Sequence, residues 1–307
     1  MPTSRPVTVA RGDTQPEDDG VFGPDSVTWR VLASPASAIG GGTAVLMQML
    51  HPRVLRLLDQ TASDRADPAE RARLTEEYVV TITYGDTAAA ERAGEVLRRI
   101  HSHRKAVDPF TGETYTADTP GLLLWVHATL VWGFLASSAR WGPKLTPAER
   151  DRFVDEQRIS ARLVGIDPAT APRSVAELNA YVAGMLPQLA YVTETKAARE
   201  TFVPPRLPFS AEGLVGLVVS RATVDLLSPA MQDLYGFRWP WLNHLAVRLG
   251  SAILVGLART NAPYEKLLPE LRAQSAAHAF GSPAKRQRRA RARESAAGKA
   301  KNAGGPA

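Results

Sequence analysis

Helix start signals recur along this 307-residue chain and constrain its fold more than any other feature. A residue with a capping side chain stands directly before proline at five positions: Ser34-Pro35, Asp67-Pro68, Thr119-Pro120, Thr146-Pro147 and Ser228-Pro229. The capping oxygen accepts hydrogen bonds from the first free N–H groups of a helix, and proline needs no donor at the first helical position. Between these signals, apolar residues recur at helical spacing. The pattern predicts an all-α fold.

The predicted helices span most of the chain. They cover residues 26–33, 35–50, 52–60, 68–84, 86–104, 119–140, 147–164, 174–193, 195–201, 210–227, 229–235, 240–259 and 263–279. Proline, glycine and polar residues predict loops over Lys105–Thr116 and Val203–Pro208. Strand alternation is not convincing anywhere, although Tyr78–Tyr84 is rich in residues that favour strands. We expect one globular helical domain over residues 21–280, between disordered segments 1–20 and 281–307.

The basic charge of the chain is concentrated in its C-terminal segment. Residues 285–301 hold eight basic side chains and one glutamate, a net charge of +7, whereas the whole chain carries +6. The rest of the chain is therefore close to neutral. Such a segment is typically a solvated extension, and its weak contact with nucleic acid or an anionic membrane is the alternative. Because groove binding usually needs a basic folded face, nucleic acid is a poor primary target.

Composition and motifs exclude several classes of protein. The absence of cysteine excludes disulfides, thiolate metal sites and cysteine nucleophiles. The sequence contains no serine nucleophile elbow, P-loop, H-E-x-x-H or paired E-x-x-H motif, which argues against hydrolases, kinases, zinc proteases and di-iron bundles. The longest apolar runs, Leu122–Leu135 and Leu245–Ala258, are too short to cross a bilayer and predict core helices. Met1–Asp25 shows no secretion signal, so we expect a cytoplasmic protein.

The predicted helix 86–104 carries two histidines, and helical phase separates them. Its apolar stripe is formed by Ala89, Ala93, Val96, Leu97 and Ile100. His101 follows Leu97 by four positions and borders this stripe, whereas His103 points away from it. His101 is therefore the better metal ligand of the two. An inward histidine that is only a hydrogen-bonded core residue is the alternative.

On the preceding helix, Arg71 and Thr75 lie one turn apart on one face, which we expect to point inward. A buried guanidinium needs an anionic partner, and a haem propionate or a nearby carboxylate would serve. A surface ion pair is the alternative.

Three further features are open to more than one interpretation. Gly40–Gly42 destabilise a helix and therefore predict the close approach of another helix or of a flat cofactor. His51 lies before Pro52 at a helix end and either lines a site or simply caps the helix. His127 lies in an apolar helix and either lines a pocket or packs in the core.

With these residues in view, the chain resembles the MpaB and latex-clearing protein family, which includes the rubber oxygenases. The resemblance covers about residues 21–191. Seven blocks carry it in order: Gly23–Arg30 (G-x-x-S-x-x-W-R), Leu46–Val54 (L-M-Q-M-L-H-P-R-V), Arg71–Thr75 (R-x-x-x-T), Tyr84–Thr87 (Y-G-D-T), Ile100–His101, Tyr115–Leu130 and Ala161–Ile166 (A-R-L-V-G-I).

The resemblance implies a globin-like helical core that binds haem b and an oxygenase that uses dioxygen. It implies that His101 ligates the iron and that Arg71 and Thr75 hold the haem or its oxygen-side network. We also predict Gln48, His51 and His127 as cofactor-binding residues. Characterised relatives cleave carbon–carbon double bonds of isoprenoid chains.

Three departures distinguish this chain from the rubber oxygenases. Leu74 stands where they carry a lysine that can occupy the open iron position. No residue convincingly matches their pocket glutamate, and a secretion signal is not seen. We therefore expect a small apolar substrate, such as a terpenoid, a lipid or a specialised metabolite. The alternatives are a non-catalytic haem or lipid carrier or sensor, and a structural helical protein without a cofactor.

Overall fold

The computed structural model describes residues 16–60, 68–193, 195–202, 211–237, 247–253, 255–256 and 264–277. The N-terminal residues and the basic C-terminal segment lie outside these ranges, so the predicted domain limits stay predictions. The helices are α1 Val27–Leu32, α2 Ala36–Met49, α3 Pro52–Gln60, α4 Pro68–Tyr84, α5 Thr87–His103, α6 Pro120–Trp141, α7 Pro147–Val164, α8 Val175–Met185, α9 Thr195–Phe202, α10 Ala211–Leu226, α11 Pro229–Tyr235, α12 (residues 247–253) and α13 Tyr264–Ala277. The mostly helical prediction is confirmed, including the uncertain segment Tyr78–Tyr84.

Two differences from the prediction have simple physical causes. The loop predicted over Lys105–Thr116 contains an antiparallel hairpin, with strands β1 Lys105–Val107 and β2 Thr114–Thr116. Strands of three residues are too short to show alternation, but each buries its central residue. The helix predicted over residues 174–193 ends at Met185, because Pro187 lacks an N–H donor and allows only a short 3-10 turn.

Several helix starts form as the capping residues predict. Thr146 and Glu149 make the expected reciprocal capping box on α7, and the Ser228 hydroxyl accepts from the Met231 N–H on α11. Thr119 is different, because its hydroxyl donates to the Thr116 carbonyl and makes no cap bond to α6. Asp67 lies outside the described residues.

The antiparallel pair of α2 and α6 forms the centre of the molecule. Gly40 lies opposite Gly133, and a Cβ atom built on Gly40 would lie 2.5 Å from the Gly133 carbonyl oxygen. A Cβ on Gly133 would in turn collide with the Gly40 carbonyl. The close approach predicted from the glycine run is therefore made by another helix rather than by a cofactor. Around this pair the largest apolar cluster brings together side chains of α1, α3, α7, α8 and α11.

Helix α6 is longer than the apolar run that predicted it. By length and composition alone its 22 residues suffice to cross a membrane, with a mean hydropathy of 1.5 in the most apolar window. More than half of that window is buried inside the protein, and Trp125 and Ala128 are completely buried. These features are those of a core helix, as predicted.

A partly buried carboxylate fixes helix α1 to this core. Glu156 of α7 accepts hydrogen bonds from the Val27 and Thr28 N–H groups at 3.1 and 2.8 Å and from the Thr28 hydroxyl at 2.7 Å. The free N–H groups of a helix start carry partial positive charge, which favours a carboxylate there. Glu156 therefore anchors α1 to α7.

We predict that Gly133→Ala lowers the free energy of unfolding by about 2–3 kcal/mol, because the new methyl group collides with the α2 backbone. Urea unfolding followed by circular dichroism measures this change. Gly121→Ala is the matched control on the same helix, since no atom lies within 4 Å of its added Cβ. That control should be neutral or slightly stabilising. Equal stability of the two variants would contradict the close contact.

Candidate functional site

The helices α4 and α5 form an antiparallel hairpin that carries the predicted site. Gly85 and Asp86 make the turn, and the Asp86 carboxylate caps α5 by accepting from the Ala89 N–H at 2.6 Å. Tyr78 and Ile82 of α4 share one buried cluster with Ala90 and Ala93 of α5 and Leu163 of α7. This pairing fixes how the two helices are aligned.

The hairpin brings the two predicted site segments to the same end of the pair. Arg71 precedes Gly85 by 14 positions, and His101 follows Asp86 by 15 positions. At about 1.5 Å per residue, both lie roughly 20 Å from the turn. The side chain of Arg71 lies outside the described residues, so its predicted partner is untested.

His101 combines partial burial with an unsatisfied ring nitrogen. Its Nδ1 atom is buried and has no hydrogen-bond partner in the described structure. Burial lowers the pKa of His101, the charge of Arg104 lowers it further, and the carboxylate of Asp118 opposes both. The imidazole is therefore neutral at pH 7, which is the form that ligates metals.

The neighbouring histidine has a different environment. His103 is exposed, and its Nδ1 atom lies 2.7 Å from the Arg99 carbonyl oxygen, to which it donates. The geometric prediction that His101, and not His103, borders the protein interior is confirmed. The role of His101 as an iron ligand stays a prediction.

Two predicted burial patterns are wrong. Thr75 is exposed rather than inward-facing, although its backbone lies on α4 as predicted. Ile100, placed at the end of the apolar stripe of α5, is 37% exposed. Helical phase identified which residues share a face, but the protein covers that face only near the turn. The far end of the hairpin, which carries His101, is consequently more open than the sequence indicated.

A cleft of about 380 Å³, within the size range of small-molecule sites, is lined by Ser102, the residue that follows His101. Its lining includes Arg98, Arg99, Ser102 and Asp118. The Arg98 guanidinium donates to the Leu163 carbonyl at 2.6 Å, which fixes it across the α5–α7 contact. These guanidinium groups could bind a carboxylate at the cleft. The sequence analysis did not identify Arg98 and Arg99, because both lie outside the apolar stripe of α5 from which the site was predicted.

The other predicted cofactor-binding residues lie at the α2–α6 contact. The Gln48 side chain donates to the Val126 carbonyl at 3.3 Å and to the Thr129 hydroxyl at 3.0 Å. His51 is buried, its ring centroid lies 6.4 Å from that of Trp125, and its carbonyl accepts from Leu55 at the start of α3. Gln48 thus joins two helices, and His51 begins the next one.

Both buried histidines of this region are neutral at pH 7. Burial lowers the pKa of His51, and the His51 Nδ1 atom has no hydrogen-bond partner in the described structure. Burial lowers the pKa of His127 to about 4. Hydrogen bonds and ring contacts among the described residues do not connect either histidine to His101. The predicted site residues therefore form two separate groups, one around His101 on α5 and one at the contact of α2 with α6.

Residues 29–260 match the family described as ER-bound oxygenase mpaB/B'/Rubber oxygenase, catalytic domain. The chain belongs to this family. Searches of curated proteins and of solved structures gave no significant match.

Membership in the MpaB/rubber oxygenase family makes this domain an oxygenase catalytic domain by descent. The match extends past the seven resembling blocks and includes α10, α11 and α12. Within the described ranges, His, Asp and Glu side chains form no group of three or more that could hold a bare metal ion. A haem needs only one protein ligand, so this finding does not bear on the haem prediction.

Leu74, the residue that departs from the rubber oxygenases of this family, is half-buried on α4. The next buried acidic residue along that helix is Glu77, which forms an ion pair with Arg73 one turn earlier. A leucine side chain has no donor atom for a metal. Position 74 therefore offers an apolar surface on this member of the family.

We predict that His127 makes folding stability depend on pH. The pKa of His127 is 6.5 in the unfolded chain and about 4 in the folded protein. Between these two pH values the unfolded chain therefore binds a proton at His127 that the folded protein does not bind. Stability should therefore fall by about 2 kcal/mol from pH 7 to pH 5 because of this group. Urea titrations of the wild type and His127→Gln at both pH values measure it. The same pH dependence in both proteins would contradict the assignment.

Proposed function

We propose that this protein is a haem b-dependent oxygenase that acts with dioxygen on a small apolar substrate. A terpenoid, a lipid or a specialised metabolite fits the expected class. The observation that carries the proposal is His101, a neutral imidazole with an unsatisfied buried nitrogen in an oxygenase-family domain. Its position at the open end of the α4–α5 hairpin supports access by a large flat group.

The residues around His101 fit a haem on chemical grounds. The unsatisfied Nδ1 atom would gain a partner by ligation or by an orienting hydrogen bond, and metal-bound histidines normally have both ring nitrogens engaged. Asp118, whose charge already acts on His101, is the carboxylate that would orient the ring. Arg99 at the neighbouring cleft supplies a guanidinium for a propionate, a role also predicted for Arg71.

Bound haem would supply the dioxygen chemistry that amino-acid side chains do not provide. The protein would hold the iron through His101, and the Leu74 side chain has no atom that could ligate it. An apolar residue at that position also excludes water and favours an apolar substrate. Arg71 and Thr75 are proposed to fix the orientation of the bound group. The cytoplasmic location and the weak anionic contacts of the basic segment remain predictions.

Haem binding is the first test of the proposal. Protein purified from haem-supplied cells is expected to show a Soret absorption band. His101→Ala should weaken haem binding by more than about tenfold, because the ligand is lost. His103→Ala is the matched control, since this exposed histidine is two positions away, and its band should match the wild type. A colourless wild-type protein would overturn the proposal, and an unchanged band in His101→Ala would overturn the ligand assignment.

Turnover is the second test and separates an oxygenase from a carrier or sensor. The haem-loaded protein is reduced, mixed with dioxygen and a panel of terpenoid and lipid alkenes, and analysed by mass spectrometry with labelled dioxygen. We expect labelled oxygen in a product of at least one alkene and a loss of that product in His101→Ala. Full recovery of every alkene, with the Soret band intact, would favour the non-catalytic haem or lipid-binding alternative.

A further inference from the structure

A second cleft lies at the opposite end of α6 from His101. It has a volume of about 520 Å³ and lies between the C-terminal end of α6, the start of α7 and the region of α12. Leu123, which borders the cleft beside His101, precedes Trp141 by 18 residues on this helix. At about 1.5 Å per residue, the two clefts are separated by roughly 25 Å along α6. One small ligand therefore cannot occupy both.

The charged residues that line this second cleft are all basic. They are Arg140, Lys144 and Arg150. Arg140 forms an ion pair with the buried carboxylate of Asp225, which also accepts from Arg248 of α12 at 3.1 Å. Lys144 and Arg150 are exposed, and no ion pair joins either to another described residue. The cleft therefore carries an excess of positive charge.

A buried hydroxyl in the same cleft has no partner among the described residues. Ser138 is 3% exposed and lines the cleft, and its Oγ atom makes no hydrogen bond within the described structure. The preceding residue shows the usual arrangement, because the Ser137 hydroxyl donates to the Phe134 carbonyl at 3.1 Å. Leaving a buried hydroxyl unsatisfied costs about 1–3 kcal/mol. A ligand that accepts from Ser138 would remove that cost.

The wall of the cleft adds an apolar surface to these polar groups. Leu135, Trp141 and Leu145 line it and are largely buried. Gly142 passes so close to Ser138 that an added Cβ would lie 2.8 Å from the serine hydroxyl oxygen. Any side chain at position 142 would therefore crowd that hydroxyl. Positive charge, a free donor and an apolar wall meet in one cleft.

We propose that this cleft binds an organic anion with a carboxylate or phosphate head and a short apolar body. Lys144 and Arg150 attract the head, and the Ser138 hydroxyl donates to one of its oxygens. The apolar body lies against Leu135 and Trp141. Because Asp225 ties the Arg140 side of the cleft to α12, binding also holds α12 against α6. The site is independent of haem and of the proposed oxygenase activity.

Isothermal titration calorimetry on the full-length protein tests the site in about 150 mM salt, which weakens nonspecific attraction to the basic segment. The probes are octanoate, octyl phosphate, inorganic phosphate and octanol. We expect octanoate or octyl phosphate to bind at one equivalent, and the better head identifies the anion class. Octanol lacks the anionic head and inorganic phosphate lacks the apolar body. Each should therefore bind at least about tenfold more weakly.

Three variants locate the binding in this cleft. Lys144→Gln and Arg150→Gln should each weaken binding about three- to tenfold, because both side chains are exposed and screened. Ser138→Ala should weaken binding about tenfold and leave the melting temperature unchanged or higher, because it removes an unsatisfied buried hydroxyl. Lys105→Gln is the control, an exposed lysine of β1 outside the cleft. All four variants keep the basic segment.

Two results would overturn the proposal. One is equal binding of octanol and octanoate, which would show that the charges take no part. The other is wild-type affinity for both anionic probes in a Lys144→Gln/Arg150→Gln double variant, which would place any anion binding elsewhere, for example on the basic segment.

Discussion

The close contact between α2 and α6 is the constraint on which the rest of the fold depends. Two helices with ordinary side chains at their crossing stay 8–10 Å apart, but Gly40 and Gly133 allow backbone to meet backbone. This approach makes α6 the buried axis of the molecule, with Trp125 completely enclosed. The other helices then pack around an axis whose position is fixed. A glycine inside a helix lowers the stability of that helix by up to about 1 kcal/mol. The close packing of α2 against α6 must therefore contribute more than this loss.

The sequence predicted the helices well because the signals that begin and end helices are local. Thr146 and Ser228 cap helices through side chains a few positions away, and no knowledge of distant residues is needed. The predictions of burial were weaker for a related reason. Periodicity shows that Ile100 lies on the apolar face of α5, but whether that face is covered depends on other helices. Thr75 was misplaced for the same reason.

Three histidines are neutral because of burial, and His101 is the least buried of them. His51 and His101 share an unsatisfied buried Nδ1 atom, so that feature alone does not separate them. His51 lies inside the packed junction of α2 and α3 against Trp125, and His127 lies within α6 with 9% exposure. His101 is half-buried, and the next residue, Ser102, lines a cleft. Greater exposure is what separates His101 from the two histidines of the core. Its role as an iron ligand stays a prediction.

The length of α6 gives the molecule two ends that differ in chemistry. At its start, near the end of α5, the molecule presents the neutral imidazole of His101. At its end, the cleft lined by Lys144 and Arg150 presents positive charge without an acidic lining residue. Because α6 is packed along its length, a ligand at the second end would act mainly on its own neighbours through Asp225 and α12. Such a ligand could affect the α4–α5 hairpin only by shifting the whole of helix α6. The contact of Gly133 with α2 opposes that shift. The ligands proposed for the two ends would therefore bind independently.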